Sequence, residues 1–186
     1  MIRTPKFKTC LPHILRFEGV IPEKGLKGNV DHPADPGGRT GSGILQREYD
    51  KWRAKNGKAS KDVWDMSELE RDTIYWENYW NPLKLDDYPL PIAFLLFDTA
   101  VLNGVTAARK LAQKTVGVKQ DGIIGPITKA ALNAVDKAEF LERFQFHRRA
   151  YFKTRPAWAT FGKGWFNRMD QVEKIAAAMI RLPSKS

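Results

Sequence analysis

Apolar residues at Phe7, Leu11, Ile14 and Leu15 recur at the spacing of one helical face, and Glu18 falls on that face just before Gly19. The helix is predicted to begin at Thr4-Pro5, a capping residue followed by proline at the first helical position, with Pro12 removing an interior hydrogen bond and bending it. Leu45, Tyr49 and Trp52 mark a second helix that Asn56-Gly57 terminates. Ser67 and Glu70 make a capping box for a third, which runs to Trp80 and stops at Asn81-Pro82. Pro91 to Leu102 is apolar on all sides apart from Asp98 and Thr99, the pattern of a buried central helix closed by Asn103-Gly104. Helical patterns follow at 105–116, 126–135, 137–153 and 165–182, and no useful alternating pattern occurs after residue 45. The chain is therefore expected to be mainly α.

The interruption in this pattern carries the candidate chemistry. Residues 31–43 are too rich in glycine and proline for a regular helix or central strand, but suit a tight, preformed loop that lets backbone approach a ligand. The loop holds Asp31, Asp35 and Thr40 within possible reach of Glu18. Glycoside hydrolysis needs such a set: one acid protonates the leaving oxygen while another group activates water. Glu18 thus puts a carboxylate where an apolar residue is expected, at the helix's C-terminal end, which makes it the candidate general acid. The alternative is that Glu18 turns outward at a fraying helix end.

Composition narrows the class. A chain of 186 residues with 28% charged and 42% hydrophobic positions is an ordinary globular protein of one well-filled domain or two small ones. The net charge of +10 and pI near 9.7 favour polyanionic partners. The Lys and Arg residues are spread from Lys6 to Lys185 instead of clustering on one element, which argues against nucleic acid and leaves anionic lipid and bacterial envelope polymers, between which charge alone does not choose. His13, His32 and His147 have no ligand spacing, so no metal is expected. The single Cys10 excludes an internal disulfide and reads as a structural thiol. No run has the length of a signal peptide or a membrane span, so synthesis in the cytoplasm is expected.

Aromatic residues crowd Tyr75-Trp76-Glu77-Asn78-Tyr79-Trp80. Trp76, Tyr79 and Trp80 share a helical face, suited mostly to core packing and in part to sugar stacking. Asp98 is expected to accept hydrogen bonds from an arginine or a helix terminus rather than to act in catalysis. Asp121-Gly122-Ile123-Ile124-Gly125-Pro126-Ile127-Thr128 reads as a turn that opens the next helix.

The run Glu18-Gly19, then Asp31-His32-Pro33-Ala34-Asp35-Pro36-Gly37-Gly38-Arg39-Thr40-Gly41-Ser42-Gly43-Ile44, resembles the signature of the glycoside hydrolase family 108 N-acetylmuramidases, many of them phage endolysins. The stretches Phe97 to Gly104, Asp121 to Thr128 and Gly164 to Arg168 are similar to the predicted peptidoglycan-binding region that usually follows that motif, so the resemblance covers about residues 10 to 175.

The resemblance implies a lysozyme-like helical domain with a Gly-rich active-site loop or small hairpin. Residues 1–90 would form the catalytic part and 91–186 a helical peptidoglycan-binding-like part, packed as one monomeric globule. It implies hydrolysis of the β-1,4 bond between N-acetylmuramic acid and N-acetylglucosamine without a cofactor, by an enzyme acting on the wall in the periplasm. Glu18 would be the general acid, Asp35 the second group and Thr40 the holder of a water; Asp31, Trp76, Tyr79 and Asn103 would meet substrate. A lytic transglycosylase and a non-catalytic wall-binding protein remain the alternatives. Two departures sit beside Glu18: Val20 replaces a second glycine, and Ile21 to Gly28 lengthens the following segment. Asp31, where asparagine is commoner, leaves the second group open between Asp35, Asp31 and a Thr40-held water.

Overall fold

The structure, a computed structural model, describes residues 4–31 and 38–181, so Asp35 and His32 lie outside the described residues. The chain divides into two compact units, Met1–Asn78 and Tyr79–Ser186.

In the first unit, helix α1 spans Pro5–Phe17 and buries Phe7, Cys10, Leu11, Ile14 and Leu15. The Thr4 hydroxyl caps it by accepting from the Phe7 amide at 3.4 Å. Pro12 lies inside this helix on its exposed side. Two short antiparallel hairpins follow: β1 (Val20–Ile21) with β2 (Leu26–Lys27), and β3 (Thr40–Gly41) with β4 (Ile44–Leu45). Helix α2 (Gln46–Lys55) ends at Asn56 as its turn residues require.

Helix α3 (Glu68–Tyr75) starts with the expected capping box, Ser67 and Glu70 each accepting from the other's amide at 3.3 Å. The third helix was expected to remain regular as far as Trp80. It instead widens into a π-helical turn over Trp76–Trp80. The wider turn breaks the three-and-four alignment, and Trp80 is fully buried while Trp76 and Tyr79 are half-buried.

Glu70 ties α2 to α3. It accepts from the Tyr49 hydroxyl at 2.8 Å, Arg53 at 2.8 Å and Lys58 at 2.9 Å. Burial pushes this carboxyl up, but the hydrogen bonds from Lys58, Tyr49 and Ser67 outweigh it and bring it down to about 2.

In the second unit, α4 (Leu90–Asn103) is buried without interruption from Pro91 to Ala100 and packs against α5 (Val105–Thr115), α7 (Lys137–Lys153) and α8 (Trp158–Arg181). A helix apolar on every face must be surrounded to be stable, and this one is. Asp98, in its middle, is fully buried and paired with Arg148 and, at 2.9 Å, with Arg168. Helix α6 (Pro126–Ala134) follows the Asp121–Gly125 turn. Gln113 of α5 holds that turn, donating to Asp121 at 2.8 Å and to the Ile123 carbonyl at 3.0 Å and accepting from the Gly122 amide at 2.8 Å. Its hydrogen bonds therefore serve to join two helices.

The last helix starts at Trp158, seven residues before the expected 165. Gly162 and Gly164 weaken its local helical signal, yet a β-carbon at Gly162 would lie 2.6 Å from the Trp158 ring. That ring packs where only glycine leaves room. Among the described residues, no helix is long and apolar enough to cross a membrane.

Candidate active site

Glu18 is the residue at which α1 stops. Its amide still reaches back to the Ile14 and Leu15 carbonyls, at 3.2 and 3.1 Å, and Gly19 then turns the chain into β1. The side chain is half-buried. Its carbonyl is covered closely by Gly28, where a β-carbon would stand only 2.4 Å from the Glu18 oxygen. The first hairpin is thereby pressed against the helix end.

The second hairpin closes on the carboxylate itself. Gly43 has φ +77°, and a β-carbon there would lie 2.8 Å from Glu18 Oε2 and 2.8 Å from the Tyr75 hydroxyl. Any other residue would need both a left-handed backbone and space already occupied by these two groups. The buried Tyr75 hydroxyl donates to the Ser42 carbonyl at 2.8 Å, which fixes the turn from below. Ser42 is itself left-handed, with φ 51°, and its amide and hydroxyl donate to the Gly28 and Lys27 carbonyls, each at 3.0 Å. The helix end and both hairpins thus meet at Glu18, the first hairpin against its backbone carbonyl and the second against its carboxylate, while Tyr75 of α3 holds the second hairpin's turn.

The loop before this hairpin is closed at its base by Val30 and Thr40, whose amides and carbonyls exchange hydrogen bonds of 2.8 Å in both directions. Arg39 anchors one side. Its guanidinium stacks over Trp64 at 4.1 Å, pairs with Asp62 and reaches Asp31 at 3.3 Å. The Trp64 indole donates to the Thr40 carbonyl at 3.1 Å.

The expected site residues are therefore distributed unevenly. Thr40 stands on the same hairpin as Gly43, its hydroxyl 3.5 Å from the Gly38 carbonyl. Asp31 flanks the loop and is engaged with Arg39. Asp35 falls outside the described residues. Trp76 meets the core residue Phe7 edge-on at 5.1 Å. Tyr79 and Asn103 belong to the second unit, where both are half-buried. Among the described residues, no three His, Cys, Asp or Glu side chains gather as a metal would require.

Sequence reasoning missed Tyr75, Ser42 and Gly43 as the frame of the carboxylate, and Arg39 with Trp64 as the anchor of the loop. Gly43 and Arg39 are visible in the loop motif. The inward role of Tyr75 depends on which aromatic residue faces the hairpin, which periodicity does not report.

Val20 opens β1 with its side chain buried, so the departure from a second glycine is absorbed as a packing residue. The lengthened segment forms the β1–β2 hairpin around a short 3₁₀ turn at Pro22–Lys24.

Comparison with known proteins follows this division in part. The family model described as Glycosyl hydrolase 108 matches residues 11–104, and that of a Predicted Peptidoglycan domain matches residues 106–170. Among solved structures the chain is similar to that of Brucella abortus SagA, with 34% identity and a TM-score of 0.80 over 96% of this chain and 97% of that one. No curated protein matches.

Proposed function

Because the chain belongs to the glycosyl hydrolase 108 family and carries a peptidoglycan domain, we propose that this peptidoglycan-acting glycoside hydrolase is a lysozyme-like endolysin. It cleaves the β-1,4 bond between N-acetylmuramic acid and N-acetylglucosamine. The observation that carries the reading is the place of Glu18 at a helix end, its carboxylate beside Gly43 in the turn that the Tyr75 hydroxyl holds through the Ser42 carbonyl. Such a residue borders a tight turn while remaining half-exposed, and general acid catalysis requires that the acid can reach the leaving oxygen.

In this mechanism Glu18 protonates the glycosidic oxygen as the bond to the anomeric carbon breaks, and water adds to the resulting cationic centre. Asp35 positions or activates that water or stabilises the cation, with Thr40 orienting the water. Asp31, Trp76, Tyr79 and Asn103 contact the glycan. Residues 1–90 provide the catalytic part and 91–186 the wall-binding part. The enzyme is made in the host cytoplasm and acts in the periplasm. Its net charge of +10 adds attraction to anionic envelope polymers, so lysis of permeabilised cells slows as salt shortens the screening length.

Mass spectrometry of muropeptides released from purified sacculi tests the reaction. New reducing muramic ends are expected. Ends carrying a 1,6-anhydro ring would make the protein a lytic transglycosylase, and intact glycan with bound protein would make it a binding module. In the same assay Asp35→Asn is expected to reduce turnover far more than Asp31→Asn; the reverse order would move the second role to Asp31.

A further inference from the structure

The second unit contains a cavity of about 350 Å³ whose walls are Tyr151, Phe152 and Trp165, with Asn103 on one side and Arg155 on another. That volume is at the small end of the range for small-molecule sites, roughly 300–1,000 Å³. Its place in the helix packing is well defined. Leu102 lies one turn along α4 from Asp98, Phe152 one turn along α7 from Arg148, and Trp165 one turn along α8 from Arg168. The cavity therefore sits next to the buried Asp98–Arg148–Arg168 cluster, in which two guanidinium groups face a single carboxylate. Nε and Nη1 of Arg148 have no acceptor among the described residues. The surroundings are rigid and carry an excess of positive charge.

Three features of the lining bear on a ligand, although Tyr151 already carries Arg155 and Trp165 packs against Phe152, Trp158 and Phe161. Asn103 Oδ1 is shielded from solvent and has no donor, an arrangement that costs free energy until a donor arrives. The residue itself is half-exposed at the end of α4 and lines the cavity. Arg155 is exposed, lies 5.4 Å over the Tyr151 ring and forms no ion pair among the described residues. Trp165 and Tyr151 are half-buried aromatic faces. An acceptor without a donor, an exposed cation and aromatic residues in the lining fit a ring with apolar C–H faces, an amide N–H and a carboxylate.

We propose that this cavity is a glycan subsite of the second unit that takes an N-acylated amino sugar bearing a carboxylate. The ring stacks on Trp165 and Tyr151, its amide N–H meets Asn103 Oδ1 and its carboxylate meets Arg155. The assignment rests on the peptidoglycan reading above, and it adds a separate place where the polymer is gripped. The carboxylate can come from the lactyl ether of a stripped muramic residue or from an attached peptide stem.

The test follows the indole N–H resonance of Trp165 in the full chain, identified by its loss in Trp165→Phe, as N-acetylmuramic acid, N-acetylglucosamine or N-acetylmuramoyl dipeptide is added. N-acetylmuramic acid is expected to shift the resonance saturably, and N-acetylglucosamine to bind about tenfold more weakly because it lacks the charged contact. Arg155→Ala, an exposed change that leaves the core intact, is expected to bring N-acetylmuramic acid to the level of N-acetylglucosamine while leaving the latter unchanged. Dipeptide binding as tight as N-acetylmuramic acid assigns the carboxylate to the stem, and binding no tighter than N-acetylglucosamine assigns it to the lactyl group. Absence of any Trp165 shift, or an Arg155→Ala effect equal for both sugars, overturns the subsite. Sacculus cleavage with no Trp165 shift removes this proposal alone, whereas a Trp165 shift with no cleavage removes the proposed reaction and leaves the subsite standing.

Discussion

Asp98 and Glu18 are both carboxylates on faces of helices that are otherwise apolar, yet the two units give them opposite surroundings. Asp98 sits mid-helix with no exposure, and Arg148 and Arg168 close on it from two other helices. Burial pushes its carboxyl up, but the charges of the two guanidinium groups overcome that and hold it below the usual range. Glu18 sits at a helix end, half-buried, beside a glycine, a tyrosine hydroxyl and a hairpin turn. Full burial between two guanidinium groups makes a structural joint, because releasing the carboxylate would strand two cations. Partial burial against a backbone turn leaves a carboxylate able to meet an incoming group. On the proposed reading, the environment of each carboxylate, and not its residue type, separates structure from chemistry.

That contrast can be broken most forcefully at Asp98. Asp98→Asn leaves Arg148 and Arg168 buried without a counter-charge, and loss of one partner of such a cluster typically costs about 3–5 kcal/mol. The urea midpoint is expected to fall accordingly while turnover per folded molecule stays unchanged; a loss below about 1 kcal/mol would show that the cluster is not a joint. Glu18→Gln should behave in the opposite way. Turnover is expected to fall at least about 10²-fold, equivalent to roughly 2.7 kcal/mol of barrier, with the unfolding midpoint preserved. Retention of more than half the activity would sink the general-acid role.

Glu70 sharpens the comparison, because it shares a unit with Glu18 but is compensated like Asp98. Its folded value of about 2 lies below the ordinary 4.5, so its contribution is fully present above about 4.5 and is lost as pH falls toward 2. With allowance for the solvent that reaches Lys58, the contribution is on the order of 2 kcal/mol. Denaturation of wild type and Glu70→Gln should therefore differ near neutral pH and converge near pH 2; a constant gap would place the effect outside titration.

The smallest expected effect is at Gly43. Gly43→Ala places a methyl group within 2.8 Å of both Glu18 Oε2 and the Tyr75 hydroxyl on a left-handed backbone, and is expected to lower turnover about tenfold at a stability cost of about 1–2 kcal/mol. Unchanged turnover would mean that the turn does not position Glu18.

The helices were legible wherever periodicity and caps agreed. Thr4-Pro5, the Ser67 and Glu70 capping box and the wholly apolar stretch of α4 each state a local preference that the packed protein keeps. Local propensity failed where side-chain packing or a change of helical winding decided the outcome. The last helix begins at Trp158 because the Trp158 ring packs over Gly162, overriding weak propensity, and the third helix widens after Tyr75.

For the site, the sequence by itself determined that Glu18 ends a helix and that a glycine-rich loop follows it, since both are properties of a few consecutive residues. Only the tertiary structure decided that Gly43 is the residue closing on that carboxylate, that Tyr75 holds the turn through the Ser42 carbonyl, and that Asp98 belongs to two arginines from other helices. Those choices are made by contacts between residues 25 to 70 positions apart in the chain. Hydrophobic periodicity specifies which face of an element is buried, but it carries no information on which side chain of another element it will meet.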